Sequence, residues 1–167
     1  TKTDSITIVN TGAEGGGAAN WSIVGSRVRY QSTASGQAVL RNTAASIPAN
    51  AVYETTFNIP SWVGFVTPRL RGQVNGNSYY YFDSHFNQVA GIRRLAGSSD
   101  STIVSIPRNY NPNTDYRVKM KTGDSAPGSF KLWLNESLIG TGTDSSPLSA
   151  PGNSALWVAD FSGGNSA

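Results

Sequence analysis

The sequence predicts an all-β fold of two antiparallel sheets packed as a sandwich, and three observations carry that expectation. Nearly every apolar stretch alternates at period two, and hardly any window combines helical periodicity with a cap. Gly, Asn, Asp, Pro and Ser cluster between these stretches at regular spacing, dividing the chain into about a dozen short strands. Seventeen aromatic residues (4 Trp, 7 Tyr and 6 Phe) stand against one Met, and alanines form no helical stripe.

Taken in order, Ser5-Ile6-Thr7-Ile8-Val9 is a short strand, closed by the glycine-rich loop from Asn10 to Asn20. Trp21 to Tyr30 alternates around Ile23, Gly25 and Val28, and Gln37 to Arg41 is another strand. Ile47-Pro48-Ala49-Asn50 makes a turn. Ala51 to Ile59 places Val52, Glu54, Thr56 and Asn58 on one face, with Tyr53, Thr55, Phe57 and Ile59 on the other. Val63 to Gln73 carries Pro68, which suits a sheet edge or a bulge because proline cannot donate to a ladder. Asn75-Gly76-Asn77 is a strong hairpin turn.

Ser78 to Phe86 and Val89 to Leu95 form the next hairpin, through Phe86-Asn87-Gln88. Ile103 to Ile106 follows, then a loop from Pro107 to Thr114. Asp115 to Thr122 and Ser129 to Asn135 are joined by the turn Gly123 to Gly128. Ser137 to Gly142 returns after Asn135-Glu136, and Ala155 to Phe161 is the last clear strand. With no linker, repeat or low-complexity block, residues 1–167 are expected to form a single domain.

Composition excludes several classes. A chain of 167 residues can bury a core without covalent staples. The absence of cysteine rules out disulfides and thiolate chemistry, and a single histidine rules out a His/Cys zinc site. Thirteen Lys+Arg against ten Asp+Glu give +3, too weak a bias to argue for nucleic acid. No apolar run reaches the roughly 18 residues a helical membrane span needs, so no membrane insertion is expected. Charged residues are 14% of the chain, and the low charge with abundant Ser, Thr and Asn suits an extracellular or virion surface. The start, Thr1-Lys2-Thr3-Asp4, carries neither an initiator Met nor a signal peptide, which reads as a processed or excised piece and leaves a cytosolic origin open. Asn20-Trp21-Ser22 and Asn135-Glu136-Ser137 match the glycosylation acceptor pattern, relevant only with a eukaryotic secretory route.

From Tyr53 onward the order of signals resembles the concanavalin A-like, laminin-G-like sandwiches. Ala51-Val52-Tyr53-Glu54-Thr55-Thr56-Phe57 looks like their early core strand, followed by Pro68-Arg69-Leu70-Arg71, then Asn77-Ser78-Tyr79-Tyr80-Tyr81-Phe82 and Gly91-Ile92-Arg93-Arg94-Leu95. Asp115-Tyr116-Arg117-Val118-Lys119-Met120-Lys121 with Phe130-Lys131-Leu132-Trp133-Leu134-Asn135-Glu136-Ser137-Leu138-Ile139 is similar to the family's hairpin, which an Asp follows, here Asp144. Glu136 stands where the family usually has Gly, a departure that affects the turn.

The resemblance covers roughly two thirds of the chain and implies a jelly-roll sandwich. Its motifs mark fold rather than chemistry. Thr11 to Trp21 also looks like the opening of several non-catalytic carbohydrate-binding modules. Such domains usually end in a further strand with an Asp after the segment Leu156 to Gly164. The chain is therefore expected either to be a fragment lacking its last strand or to have that sheet edge closed by another segment or chain. The resemblance also implies a structural calcium between first and last strands, with Glu14 and Asp160 as the available oxygen ligands.

Catalysis is not expected. Retaining sugar hydrolysis needs two carboxylates about 5–5.5 Å apart, and Glu14, Glu54, Asp83 and Glu136 sit in separate elements. Glu54 alone on its strand reads as exposed or hydrogen-bonded. In Asp83-Ser84-His85 a strand turns Ser84 away from the other two, which breaks any nucleophile–base pair. Gly15-Gly16-Gly17 precedes no helix, so it is no phosphate loop.

The most informative segment is Ser78 to Phe86. Tyr80, Phe82, Ser84 and Phe86 share one face and read as core. Tyr79, Tyr81, Asp83 and His85 share the other as an aromatic–polar stripe on an outward sheet face. Arg69, Arg71 and Arg93 can flank it. Flat rings suit the C–H faces of sugars, and carboxylate, imidazole and guanidinium groups suit their hydroxyls. The competing reading is a solvated face whose arginine stems cover the tyrosines and whose Asp83 pairs with an arginine. Trp133 is the second candidate, pointing outward with Lys131 beside Arg117, Lys119 and Lys121. There a cation–π cover or an interface with another chain competes with a sugar platform. Trp62 and Tyr110, in loops, are the remaining suggestive aromatics, and Trp21 and Trp157 read as core.

The expected function is a lectin-like, non-catalytic module that binds a polysaccharide or surface glycan. The alternative is a structural or adhesion domain of a virion (phage capsid or tail) or an extracellular filament. It would act through protein–protein contacts, as a homo-oligomer or in a larger surface assembly.

Overall fold

Period-two alternation produces twelve strands and no helix among the described residues. The computed structural model describes residues 19–24, 27–32, 36–48, 50–59, 66–75, 78–84, 88–123, 125–148 and 152–160, with side chains at 48, 50–59, 78–84, 88–123 and 125–148. The strands are β1 (Ala19–Val24), β2 (Arg27–Ser32), β3 (Gly36–Ile47), β4 (Val52–Phe57), β5 (Val66–Asn75) and β6 (Ser78–Asp83). They continue with β7 (Val89–Ala96), β8 (Ser99–Pro107), β9 (Tyr116–Thr122), β10 (Ser129–Leu134), β11 (Ser137–Thr143) and β12 (Gly152–Asp160).

They form a six-stranded sheet in the order β3-β12-β5-β6-β7-β8, a four-stranded sheet in the order β11-β10-β9-β4, and the separate hairpin β1-β2. Every neighbouring pair is antiparallel. Alternation on each strand supplies one apolar face, and the two large sheets bury theirs against each other. Tyr80, Phe82, Ala90, Ile92 and Val104 come from the six-stranded side, and Tyr53, Val118, Met120, Phe130, Leu132 and Leu134 from the four-stranded side. Phe57, Tyr110 and Tyr116 close one end through ring contacts of 4.9 to 5.7 Å.

Several boundaries differ from expectation. Trp21 to Tyr30 is not one strand but the hairpin of β1 and β2, with Val24 opposite Arg27. Alternation alone does not mark where one strand ends and its antiparallel neighbour begins. Strand β5 lies between β12 and β6, yet Pro68 sits at a local edge within it. It is tolerated because pairing with β6 is confined to Arg71, Gly72 and Asn75, so the ladder on that side has stopped before Pro68. The strand from Ser78 ends at Asp83 rather than Phe86, and β8 begins at Ser99, just past Gly97 at φ 61°. Strand β12, the last among the described residues, is interior and paired on both sides. The strand expected at Ser5 to Val9 lies outside the described residues.

One edge of the sandwich closes unusually tightly. A Cβ on Gly140 would stand 2.6 Å from Val104 Cγ1, and one on Gly142 would stand 2.6 Å from the Ile103 carbonyl oxygen. These two glycines let edge strand β11 lie directly against β8.

The β10–β11 turn explains the Glu136 departure. Leu134 pairs with Ser137, and Asn135 and Glu136 both take positive φ, 48° and 66°. A two-residue hairpin turn of this kind favours Asn-Gly, and a glutamate there is strained. Glu136→Gly is expected to raise the unfolding free energy by about 1 kcal/mol in urea denaturation, because the exposed ion pairs it gives up are worth less than the strain. An unchanged or lowered urea midpoint would show that the glutamate's contacts outweigh its backbone cost.

Candidate functional site

The outward face of the six-stranded sheet is assembled by register. Tyr81 on β6 stands opposite Arg71 on β5 and Arg93 on β7, and Arg93 stands opposite Thr102 on β8. Arg69 lies two residues from Arg71 on β5, opposite Trp157 on β12, so both arginines occupy the same face by backbone position. Backbone geometry therefore brings Arg69, Arg71, Tyr79, Tyr81, Asp83 and Arg93 onto one face, as alternation implied. His85 lies outside the described residues.

The state of that face differs from the expected open stripe. Tyr79, Tyr81 and Asp83 are 6%, 2% and 1% exposed. The two rings meet at 5.7 Å, and the Tyr81 hydroxyl donates to Asp100 Oδ2 on β8 at 2.8 Å. That bond spans β7, so Tyr81 leans along the sheet instead of standing out as a stacking platform. Alternation tells which residues share a face but not whether their side chains stand or lie down.

Arg93 occupies the middle of this array. Its Nε donates to Asp100 Oδ1 at 3.2 Å, Nη2 lies 3.0 Å from Asp100 Oδ2, and Nη1 lies 3.8 Å from Asp83 Oδ2. Burial works against the guanidinium charge, but the Asp100 hydrogen bond and the charges of Tyr81, Asp100 and Asp83 leave its pKa above the ordinary value. The side chains of Arg93 and Asp100 are 28% and 36% exposed, which makes them the accessible rim of the cluster. Asp100 had no sequence signal of its own. Only the tight turn after Ala96, which starts β8 at Ser99, brings it opposite Leu95.

The four-stranded sheet presents the other candidate. Lys119 Nζ sits 4.7 Å over the Trp133 ring, the cation–π cover expected there. Arg117 pairs with Glu54 and Glu136, contacts that raise its pKa above the ordinary value. Glu54 is thus the hydrogen-bonded residue it reads as. Tyr110 is not an exposed loop aromatic: it is buried, its hydroxyl donating to the Val89 carbonyl at 3.0 Å. Burial pushes its pKa up. Trp62 lies outside the described residues, and Trp21 and Trp157 are placed by backbone only.

A third cluster, buried at the rim of the core, was not anticipated beyond the position of Asp144. Tyr80 donates to Asp144 Oδ2 at 2.8 Å and accepts from the Leu148 N–H at 2.8 Å. Asp144 Oδ1 accepts from Ser146 N at 2.9 Å and lies 3.4 Å from Arg94 Nη1. This arrangement ties the 144–148 segment to the sheet.

Of the calcium ligands, Asp160 ends β12 between Gly36 and Val66, and Glu14 lies outside the described residues. Among the described residues no three acidic or imidazole side chains come together.

No protein-family model matches the chain, and no curated protein matches it by sequence. Solved structures do match. A carbohydrate-binding module, CBM66 from Bacillus subtilis, superimposes with a TM-score of 0.69 at 16% identity, over 92% of each chain. The fold is a concanavalin A-like jelly roll. A Bacillus subtilis protein with a galectin-like fold matches at TM-score 0.64 and 10% identity, over 90% of this chain and 83% of that one. The Bacillus licheniformis β-glucanase matches at 0.62 and 13%, over 96% and 81%. The likeness at these identities is one of fold, shared by binding modules and enzymes alike.

Proposed function

We propose that this jelly roll is a non-catalytic, lectin-like module of an extracellular or virion-surface protein, and that it binds glycan on the outward face of its six-stranded sheet. The observation that carries the reading is the Arg93 cluster. One guanidinium is held by two carboxylates on flanking strands, with a tyrosine hydroxyl on the same Asp100. A braced guanidinium beside a carboxylate offers donors and acceptors at fixed spacing, which is what adjacent sugar hydroxyls require. Arg69 and Arg71 extend the same face by backbone position. Asp100 accepts from both Arg93 and Tyr81, and Asp83 lies 3.8 Å from Arg93 Nη1, an arrangement that suits holding a ligand rather than passing protons. The match to a carbohydrate-binding module supports this choice among the functions the fold hosts.

The test is a glycan array, with and without calcium, followed by titration calorimetry on the best neutral oligosaccharide. Arg93→Lys keeps the charge but loses the fork, and is expected to weaken binding about tenfold with an unchanged thermal midpoint. Tyr81→Ala is a poorer probe, since its buried ring makes loss of fold the expected result. Equal affinity of Arg93→Lys and wild type would sink the assignment. A defined oligomer that binds no glycan would favour the assembly role instead.

A further inference from the structure

We propose that Thr102 and Asp100, on edge strand β8, complete the glycan contact, and that the group they take with Arg93 is a pair of adjacent hydroxyls on a neutral sugar. This rests on the reading of the Arg93 face given above. A β-bulge builds the arrangement. Ile92 pairs with Val104 and Arg93 with Thr102, so Ile103 is an extra residue in β8. Val104 is buried in the core and Ile103 packs against it, so two adjacent apolar residues both serve the interior. A regular strand would send one of them outward. The bulge instead leaves Asp100 and Thr102 two residues apart on the outward face, with Arg93 opposite Thr102. Gly91 permits this approach, since a Cβ there would stand 2.8 Å from the Val104 carbonyl oxygen.

Three groups with complementary chemistry then meet at one place. The Tyr81 hydroxyl and the Arg93 fork fix the Asp100 carboxylate. Each carboxylate oxygen has two lone pairs, so Oδ1 can accept a bond beyond that from Arg93 Nε. The guanidinium has five donors, more than its fork to Asp100 engages. Thr102 is exposed, and its hydroxyl both donates and accepts. Arg93 and Asp100 cancel in charge, so the rim offers hydrogen-bonding capacity rather than a net field, which suits a neutral hydroxyl pair. Directly opposed Cβ atoms lie about 5 Å apart and outward neighbours on one strand about 7 Å, so the three residues span a single sugar ring. Strand β8 is the outermost of its sheet, which leaves the rim open to a chain approaching over the edge.

Dextran, amylose and galactomannan, which carry adjacent free hydroxyls along the chain, are the probes, with laminarin, which carries them mainly at chain ends, as the contrast. In affinity electrophoresis, wild type is expected to bind at least one of the first three. Periodate cleavage of that polysaccharide's diols, followed by borohydride reduction, should abolish the binding. Thr102→Val keeps the branched shape of an exposed strand residue but removes the hydroxyl, and is expected to weaken binding about tenfold with an unchanged thermal midpoint. Thr102→Ser, which restores the hydroxyl, is expected to recover most of that loss. Asp100→Asn is expected to weaken binding at least as much as Thr102→Val; if it fails to fold, the Thr102 pair decides. The inference is overturned if Thr102→Val or a folded Asp100→Asn binds as tightly as wild type. Weak binding by Arg93→Lys beside an unchanged Thr102→Val overturns it while the reading of the face stands, whereas an unchanged Arg93→Lys overturns both. Wild type that binds laminarin alone, none of the four, or the cleaved chain as tightly as the intact one also overturns it.

Discussion

Tyr80→Ala is expected to lower the unfolding free energy by about 3–5 kcal/mol, measured by urea denaturation. The ring is 1% exposed and lies 4.5 Å from Phe130, so it joins the interior faces of the two sheets. Its removal leaves a void that β6 and β10 cannot close, because each is locked between two neighbouring strands. The hydroxyl adds a second effect by holding Asp144 and the Leu148 N–H together. Tyr80→Phe keeps the ring and removes only that bridge, and about 1–2 kcal/mol is expected from it. Equal losses in the two variants would show that the hydroxyl network, and not the ring, dominates. A silent Tyr80→Ala would mean that the face assignment of β6 is inverted.

Raising the pH above about 10 is expected to destabilise the domain steeply. Burial pushes the pKa of Tyr80 up, aided by its hydrogen bond to Asp144 and only partly opposed by the Leu148 N–H. Burial does the same to Tyr110. Each group keeps its proton in the folded state at a pH where the unfolded chain has lost it. Stability from these groups is therefore fully present below the unfolded pKa of about 10 and is lost as pH rises toward the folded value. The slope is about 1.4 kcal/mol per pH unit for each tyrosine. Urea midpoints at pH 8, 10 and 11 measure it, and Tyr80→Phe should remove one group's share. A flat profile across that range, or the same slope in Tyr80→Phe, would show that these hydroxyls are not protected by folding.

The candidate sites divide by how much of their chemistry was local. The cation–π pair of Lys119 and Trp133 was legible because both residues face outward by simple alternation on adjacent strands of one hairpin motif. Arg93 near Tyr81 and Asp83 was legible for the same reason. Asp100 was not, because its contact with Tyr81 crosses an intervening strand and depends on how far a side chain leans. Arg94 is a further case, because its partner Asp144 lies 50 residues away in the sequence.

What the sequence by itself determined is the fold class and the division of faces. Period-two alternation in strands such as Tyr116–Thr122 and Ser129–Leu134 states which residues go inward, and burial follows it residue by residue. The hairpin turn at Asn135-Glu136 is likewise encoded in adjacent residues. Only the tertiary structure decided that β5 is interior despite Pro68, that β12 inserts between β3 and β5, and that Tyr79, Tyr81 and Asp83 are covered. Strand order and the cover of a sheet face arise from contacts between residues distant in sequence. Alternation within one strand carries no information about its neighbours, because the same two-residue period satisfies an open face and a covered one equally well.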